Sequence, residues 1–136
     1  MEGHRFVTFF YAQRDGPARR LSYVNAGHNP PIVLHRDGSH HRLKEGGCVL
    51  GVFCDQTFAS GIIHLQPSDR LVLFSDGVTE ASNTGEEFGE QRLLELLEAN
   101  RTSTPAEIKN KILNALTHFT RSNCHDDATL LILAVS

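Results

Sequence analysis

Apolar positions in the first half of the chain come in short runs punctuated by turn residues. "FVTFFYAQ" (6–13) is apolar on both faces, which predicts a strand interior to a sheet. "RDGPAR" (14–19) turns the chain and "RLSYVNA" (20–26) returns as a second strand, so the two read as a hairpin. "PPIVLH" (30–35) opens a third strand after a double proline, and "RDGSHH" (36–41) leads into a short polar fourth strand near His41, Arg42 and Leu43. "EGGCVLGVF" (45–53) is broken by glycine and reads as a loop with a buried apolar patch. "TFASGIIHL" (57–65) and "RLVLFS" (70–75) are strands joined by Gln66-Pro67-Ser68-Asp69, which reads as another hairpin turn. The second of these runs into an acidic, glycine-bearing loop, "DGVTEASNTGEEFG" (76–89), with no helix between.

The period then lengthens. "EQRLLELLEAN" (90–100) puts Leu93, Leu94, Leu96 and Leu97 along one side and its glutamates elsewhere, the pattern of an amphipathic helix. Thr104-Pro105-Ala106-Glu107 has the form of a capping box with proline at the first helical position. Ile108, Ile112, Leu116 and Phe119 then recur at helical spacing to about Arg121. "ATLLILAV" (128–135) is a final strand. Antiparallel strands, then two helices, then one strand returning to the sheet make an α+β fold. The chain contains no repeat, linker or low-complexity segment.

Composition narrows the function classes. At 136 residues the chain is the size of a single domain, 1–136, with its own core. Thirteen Lys and Arg against 16 Asp and Glu give a formal charge of −3, and no basic run exceeds a pair, so no nucleic-acid partner is expected. No apolar run approaches membrane-spanning length and the amino terminus lacks a signal peptide, so no membrane partner is expected either. Cys48, Cys54 and Cys124 are odd in number and form no Cys-x-x-Cys, which suits a reduced, cytoplasmic localisation.

Three polar constellations fall at strand ends: "NAGHNPP" (25–31), "SDG" (75–77) and "CHDDAT" (124–129). If the strands at 70–75 and 128–135 are antiparallel neighbours, Asp76 and Asp126 converge from fifty positions apart. Two adjacent carboxylates repel unless one is protonated or a cation lies between them. Oxygen donors without a thiolate or imidazole cage favour Mg²⁺ or Mn²⁺, and Gly77 would let backbone and hydrated metal approach. The same residues also fit a plainer reading, in which Asp76-Gly77 is a turn, Asp126 caps the chain after the helix and Asp127 faces water.

"NAGHNPP", "LFSDGVTEASNTGEEFG" and "DDATLLIL", in this order, resemble the carboxy-terminal two thirds of a SpoIIE-like phosphatase domain. That family belongs to the metal-dependent, type 2C-like (PPM) serine/threonine protein phosphatases of bacteria. The resemblance spans essentially the whole chain and implies an antiparallel β-sandwich flanked by helices, α-β-β-α. It implies two Mn²⁺ or Mg²⁺ ions held by aspartates, and a metal-activated water that attacks phosphoserine or phosphothreonine with no catalytic protein nucleophile. Carried over residue by residue, Asp76 of the Asp-Gly motif and Asp126 of the Asp-Asp-x-Thr motif are metal ligands, with Gly77 and Asp127 beside them. The family's upstream Gly-Gly-Asp and Asp/Gly-His-Gly motifs do not occur here; Gly3-His4 is followed by Arg5 with no preceding Asp. The resemblance therefore implies a sandwich incomplete at its amino-terminal side, with half of the ligands and no turnover of its own. Its partners would be phosphorylated proteins, such as anti-sigma-factor antagonists. The alternative is a non-catalytic protein-binding remnant.

Five further features are weaker. His28 either meets substrate or braces its own loop through a backbone hydrogen bond, and Asn25 reads as a turn residue rather than a phosphate ligand. Glu80 either orients a metal-bound water or is a solvated loop carboxylate. Cys124-His125 beside Asp126 suggests zinc, but Cys48 and Cys54 lack a partner at zinc-ligand spacing. Without the family's upstream strands and helices, "FVTFFYAQ" would present an apolar face or open edge, for which a homodimer is the expected cover.

Overall fold

The computed structural model describes residues 5–121 and 127–136. In chain order its elements are β1 (Phe9–Asp15), β2 (Arg20–Ala26), β3 (Ile32–Leu34), β4 (His40–Arg42), β5 (Gly46–Gly47), β6 (Gly61–His64), β7 (Arg70–Phe74), α1 (Asp76–Thr79), β8 (Ser82–Asn83), β9 (Glu86–Glu87), α2 (Gly89–Ala99), α3 (Pro105–Thr120) and β10 (Leu130–Ala134). They group into two compact units, one of residues 1–30 and 42–66, the other of 31–41 and 67–136. No described helix is long and apolar enough to cross a membrane.

The first unit is built on β2. β1 pairs antiparallel along its whole length, from Phe9 opposite Ala26 to Asp15 opposite Arg20. The far edge of β2 is shared: β6 pairs antiparallel with Arg20 to Tyr23, and β5 pairs parallel with Asn25 and Ala26. The parallel pair was invisible in the sequence, because two glycines carry no side-chain pattern. Glycine is needed there, since a Cβ on Gly46 would lie 2.7 Å from the backbone nitrogen of Asn25.

Two expectations fail in this unit. β1 is an edge strand, and all of it but Phe10 is exposed. Its apolar residues mark faces without described cover rather than a place inside the sheet. The loop at 45–53 has no buried apolar patch either: Leu50, Val52 and Phe53 are exposed. That loop is held by its backbone, with Val7 N–H donating to Leu50 O at 3.0 Å and Leu50 N–H to Val7 O at 2.8 Å.

Tyr23 is buried in this unit, stacked on Phe10 at 5.9 Å between ring centroids, and its hydroxyl donates to Glu45. Burial first, then the Glu45 carboxylate, pushes the phenol well above the ordinary tyrosine range. A group held neutral in this way contributes stability that is fully present below the unfolded pKa, about 10, and is lost as pH rises through the higher folded value. Wild-type stability should therefore fall more steeply than that of Tyr23→Phe above about pH 10. Equal slopes in urea titrations of the two proteins would contradict the buried, carboxylate-facing phenol.

The second unit is an antiparallel sheet in the order β10-β7-β3-β4 with helices on one face. Ile132, Val72 and Ile32 form one row across three strands, and Leu130 and Phe74 the next. These pack against Leu93, Leu94 and Leu97 of α2 and Ile108, Ile112 and Leu116 of α3. Helix α3 starts where the sequence predicts: Thr104 accepts from the Glu107 N–H at 3.2 Å and Glu107 accepts from the Thr104 N–H at 2.9 Å.

Two more expectations are corrected here. The runs at 57–65 and 70–75 are not a hairpin, because β6 pairs with β2 while β7 pairs with β3 and β10. In the segment between them, Ser68 adopts φ 76° and donates its N–H to Val135 O at 3.0 Å, which ties the turn to the end of β10. The acidic loop after β7 does contain a helix, the single turn α1, followed by the two-residue ladder of β8 and β9. Val78 starts it by inserting, fully buried, into the apolar cluster.

Candidate functional site

The end of β7 is fixed to the start of β10 by more than the strand ladder. Leu130 stands opposite Phe74 as the last named pair. Beyond it, Ser75 N–H donates to Thr129 O at 3.0 Å, and Thr129 N–H donates to Ser75 Oγ at 2.9 Å. The serine hydroxyl thus replaces a backbone carbonyl and extends the pairing by one residue after the chain has begun to turn. Gly77 comes next, packed so tightly on the incoming strand that a Cβ there would lie 2.8 Å from the Asp127 carbonyl carbon and 3.0 Å from Ala128 Cα. Only glycine permits that approach.

Asp76 sits between these anchors. Ser75 is bonded to Thr129, Gly77 abuts Asp127, and Val78 is buried. Glu80 N–H closes the turn on Asp76 O at 2.7 Å. The Asp76 backbone is therefore held on both sides while its side chain is exposed. Asp127, exposed as well, is at the same strand edge. Asp126 lies outside the described residues, as do Cys124 and His125.

The donors at this edge suit a hard divalent cation. Asp76 and Asp127 offer oxygen only, and the missing Cβ of Gly77 keeps the backbone close. Among the described residues no three His, Cys, Asp or Glu side chains cluster well enough to hold a metal ion. What is present fits part of a site.

A family model described as Stage II sporulation protein E (SpoIIE) matches residues 1–136. The chain belongs to the SpoIIE family. It is 40% identical over 128 residues to Protein IcfG of Synechocystis sp., covering 93% of this chain and 20% of that protein. It is 31% identical over 134 residues to Phosphoserine phosphatase RsbU of Bacillus subtilis, covering 98% of this chain and 40% of RsbU. The chain thus spans less than half the length of either relative. The solved phosphatase domain of SpoIIE from Bacillus subtilis superimposes with a TM-score of 0.74 at 16% identity, over 94% of this chain and 56% of that one. At that identity the likeness shows the fold, a mixed α+β architecture of antiparallel sheets and helices.

Elsewhere in this SpoIIE-family chain, Asn25 is buried and uses both ends of its amide locally. Its Nδ2 donates to Leu43 O at 3.1 Å and its Oδ1 accepts from His28 N–H at 2.8 Å. His28 Nδ1 is 2.8 Å from Asn29 O, so this nitrogen donates to the backbone and braces the loop. Glu80 is exposed at the C-cap of α1. Sequence reasoning missed Ser75 and Val78 as the anchors of Asp76. A hydroxyl directly before Asp-Gly and an apolar residue directly after it were the available signals.

Proposed function

We propose that this chain is part of a metal-dependent phosphatase that hydrolyses phosphoserine or phosphothreonine on a protein in cytoplasmic signalling, with anti-sigma-factor antagonists as the substrate class. The reading is supported by SpoIIE-family membership and by the name of RsbU as a phosphoserine phosphatase. The observation that carries it is Asp76, exposed yet pinned at the tip of β7 by the Ser75–Thr129 bonds and the Gly77–Asp127 contact. Asp76 and Asp126 would hold Mn²⁺ or Mg²⁺. Ser75, Gly77 and Val78 would keep Asp76 in register, and Asp127 and Glu80 would orient bound water. When bound, such ions supply an activated water and neutralise phosphoryl oxygens, with the pair about 3.5–4 Å apart in two-metal sites.

A second reading is a non-catalytic protein-binding remnant. Calorimetric titration of the 136-residue chain with Mn²⁺ should show millimolar or weaker binding that Asp76→Asn abolishes. Tight binding that survives Asp76→Asn would overturn the assignment. The chain alone should hydrolyse p-nitrophenyl phosphate no faster than Asp126→Ala, and should turn over once the family's upstream acidic motifs are supplied. A chain so completed that binds a phosphopeptide but does not turn over would establish the remnant.

We also propose self-association through the face of β1, β2 and β6 that carries Phe9, Tyr11 and Ile62, which are 49%, 54% and 59% exposed. Tyr11 lies opposite Val24, and Ser22 opposite Ile62, which puts these apolar groups on one side of the sheet. Sedimentation equilibrium should show a concentration-dependent dimer that Tyr11→Lys weakens. A monomer at every concentration would mean that this face is tolerated bare.

A further inference from the structure

At the other end of β7 three arginines meet. Arg36 follows β3, Arg70 begins β7 and Arg101 follows α2, and with Ser68 and Thr102 they line a cavity of about 200 Å³ within the second unit. Their segments are cross-linked in a triangle. His35 Nδ1 lies 3.0 Å from Asp69 Oδ2, joining the residues that precede Arg36 and Arg70. Arg101 Nε–H donates to Arg36 O at 3.0 Å, and Arg70 Nη2–H donates to Ser103 O at 3.1 Å. Asp69 is almost completely buried, so this brace is an interior feature rather than a surface ion pair.

The bonds position the guanidinium groups without neutralising them, because the acceptors are uncharged carbonyls. Arg70 Nη1 serves Ser68 O at 3.0 Å, and Arg101 Nη1 serves Glu98 O at 3.0 Å. The nearby carboxylates keep their charge but turn to other partners. Asp69 faces His35, Glu98 lies 3.8 Å from His40, and Asp37 accepts from the N–H and hydroxyl of Ser39. The Ser39 bonds hold the Asp37 carboxyl below its ordinary range. Among the described residues no ion pair joins a carboxylate to Arg36, Arg70 or Arg101, so the guanidinium donors not spent on carbonyls are open to an anion.

We infer that this arginine-lined cavity binds a phosphate group, at a site distinct from the Asp76 edge. Planar guanidinium forks match phosphate oxygens, and the Ser68 and Thr102 hydroxyls add neutral donors. The cavity is below the usual range of about 300–1,000 Å³ for small-molecule pockets, so it suits a phosphate group rather than a whole nucleotide. At about 3.3 Å per residue, six positions of strand and turn put it roughly 20 Å from Asp76, too far to share one phosphate. The inference stands without the phosphatase reading. The phosphate is either free or carried on a protein side chain.

The test is an NMR titration of the full chain with inorganic phosphate at a fixed, near-neutral pH and at constant ionic strength against chloride. Amides of Arg36, Ser68, Arg101 and Thr102 should shift and saturate. Arg36→Gln should weaken the response about tenfold, the equivalent of one charge-assisted hydrogen bond, while Asp76→Asn leaves it intact. The Arg36 side chain is exposed and joins none of the three cross-links, so an unchanged melting temperature is expected in this variant. Equal shifts with chloride, or equal affinity in wild type and Arg36→Gln, would overturn the site and leave the arginines as braces for carbonyls. A phosphoserine peptide that binds more tightly than inorganic phosphate assigns the phosphate to a protein partner, and equal affinity assigns it to the free ion; either result supports the site.

Discussion

Leu97→Ala should destabilise the chain by about 2–5 kcal/mol, the cost of lost apolar burial plus an unfilled cavity. Leu97 is fully buried in the cluster where α2 and α3 cover the sheet. Val72 and Ile32 of the same cluster are fully buried too, and β-branched side chains on a braced sheet have little freedom to close a void. Leu113, on the outer side of α3 and 39% exposed, supplies the contrast. Leu113→Ala should stay within roughly 0.5 kcal/mol of wild type. Urea titrations with unchanged m-values would read both. Similar losses at the two positions would mean that the helices present different faces from those described.

Gly77→Ala should cost about 1–3 kcal/mol as an overpacked contact, and its sign is the informative part. Gly77 lies within α1, where propensity alone would make alanine better than glycine by about 0.8–1 kcal/mol. Packing opposes this, because the added methyl meets the backbone of Asp127 and Ala128 rather than the end of a flexible side chain. That backbone is itself tied to Ser75 through Thr129. A destabilised variant with altered Ser75 and Thr129 amide signals would show the two strand ends pressed together. A neutral or stabilised one would mean that the residues before β10 yield. The same variant should lose Mn²⁺ binding if the edge around Asp76 is the metal site.

The helices were legible because their signals are local: a leucine stripe for α2, and Thr104, Pro105 and Glu107 at fixed offsets for α3. The pairing of β7 with β10 was open to the sequence only as a condition, raised because two apolar runs carry acidic residues at their tips, and the strands do pair antiparallel. Periodicity reports which faces are apolar, not how many neighbours a strand has, so β1 was misplaced inside its sheet. Pro67-Ser68-Asp69 serves a crossing between sheets as well as a hairpin, and the sequence does not distinguish them. The four residues of α1 are too few to display a helical period. At the candidate site the position of Asp76 could be read, but its supports could not, because a serine hydroxyl standing in for a carbonyl leaves no pattern. Arg36, Arg70 and Arg101 escaped notice because they come from three separate segments.

The order in which the second unit's strands leave the ribosome differs from their order in the sheet. β3 and β4 emerge first, β7 follows after the excursion through β5 and β6, and β10 arrives only after both long helices. Until then the nascent chain carries one open side of β7, with Leu71, Val72, Leu73 and Phe74 in a row. At roughly 5–20 residues per second, this window lasts on the order of seconds. During synthesis, the edge that later carries Asp76 is thus the sticky one, and a nascent-chain chaperone would find its binding stretch there.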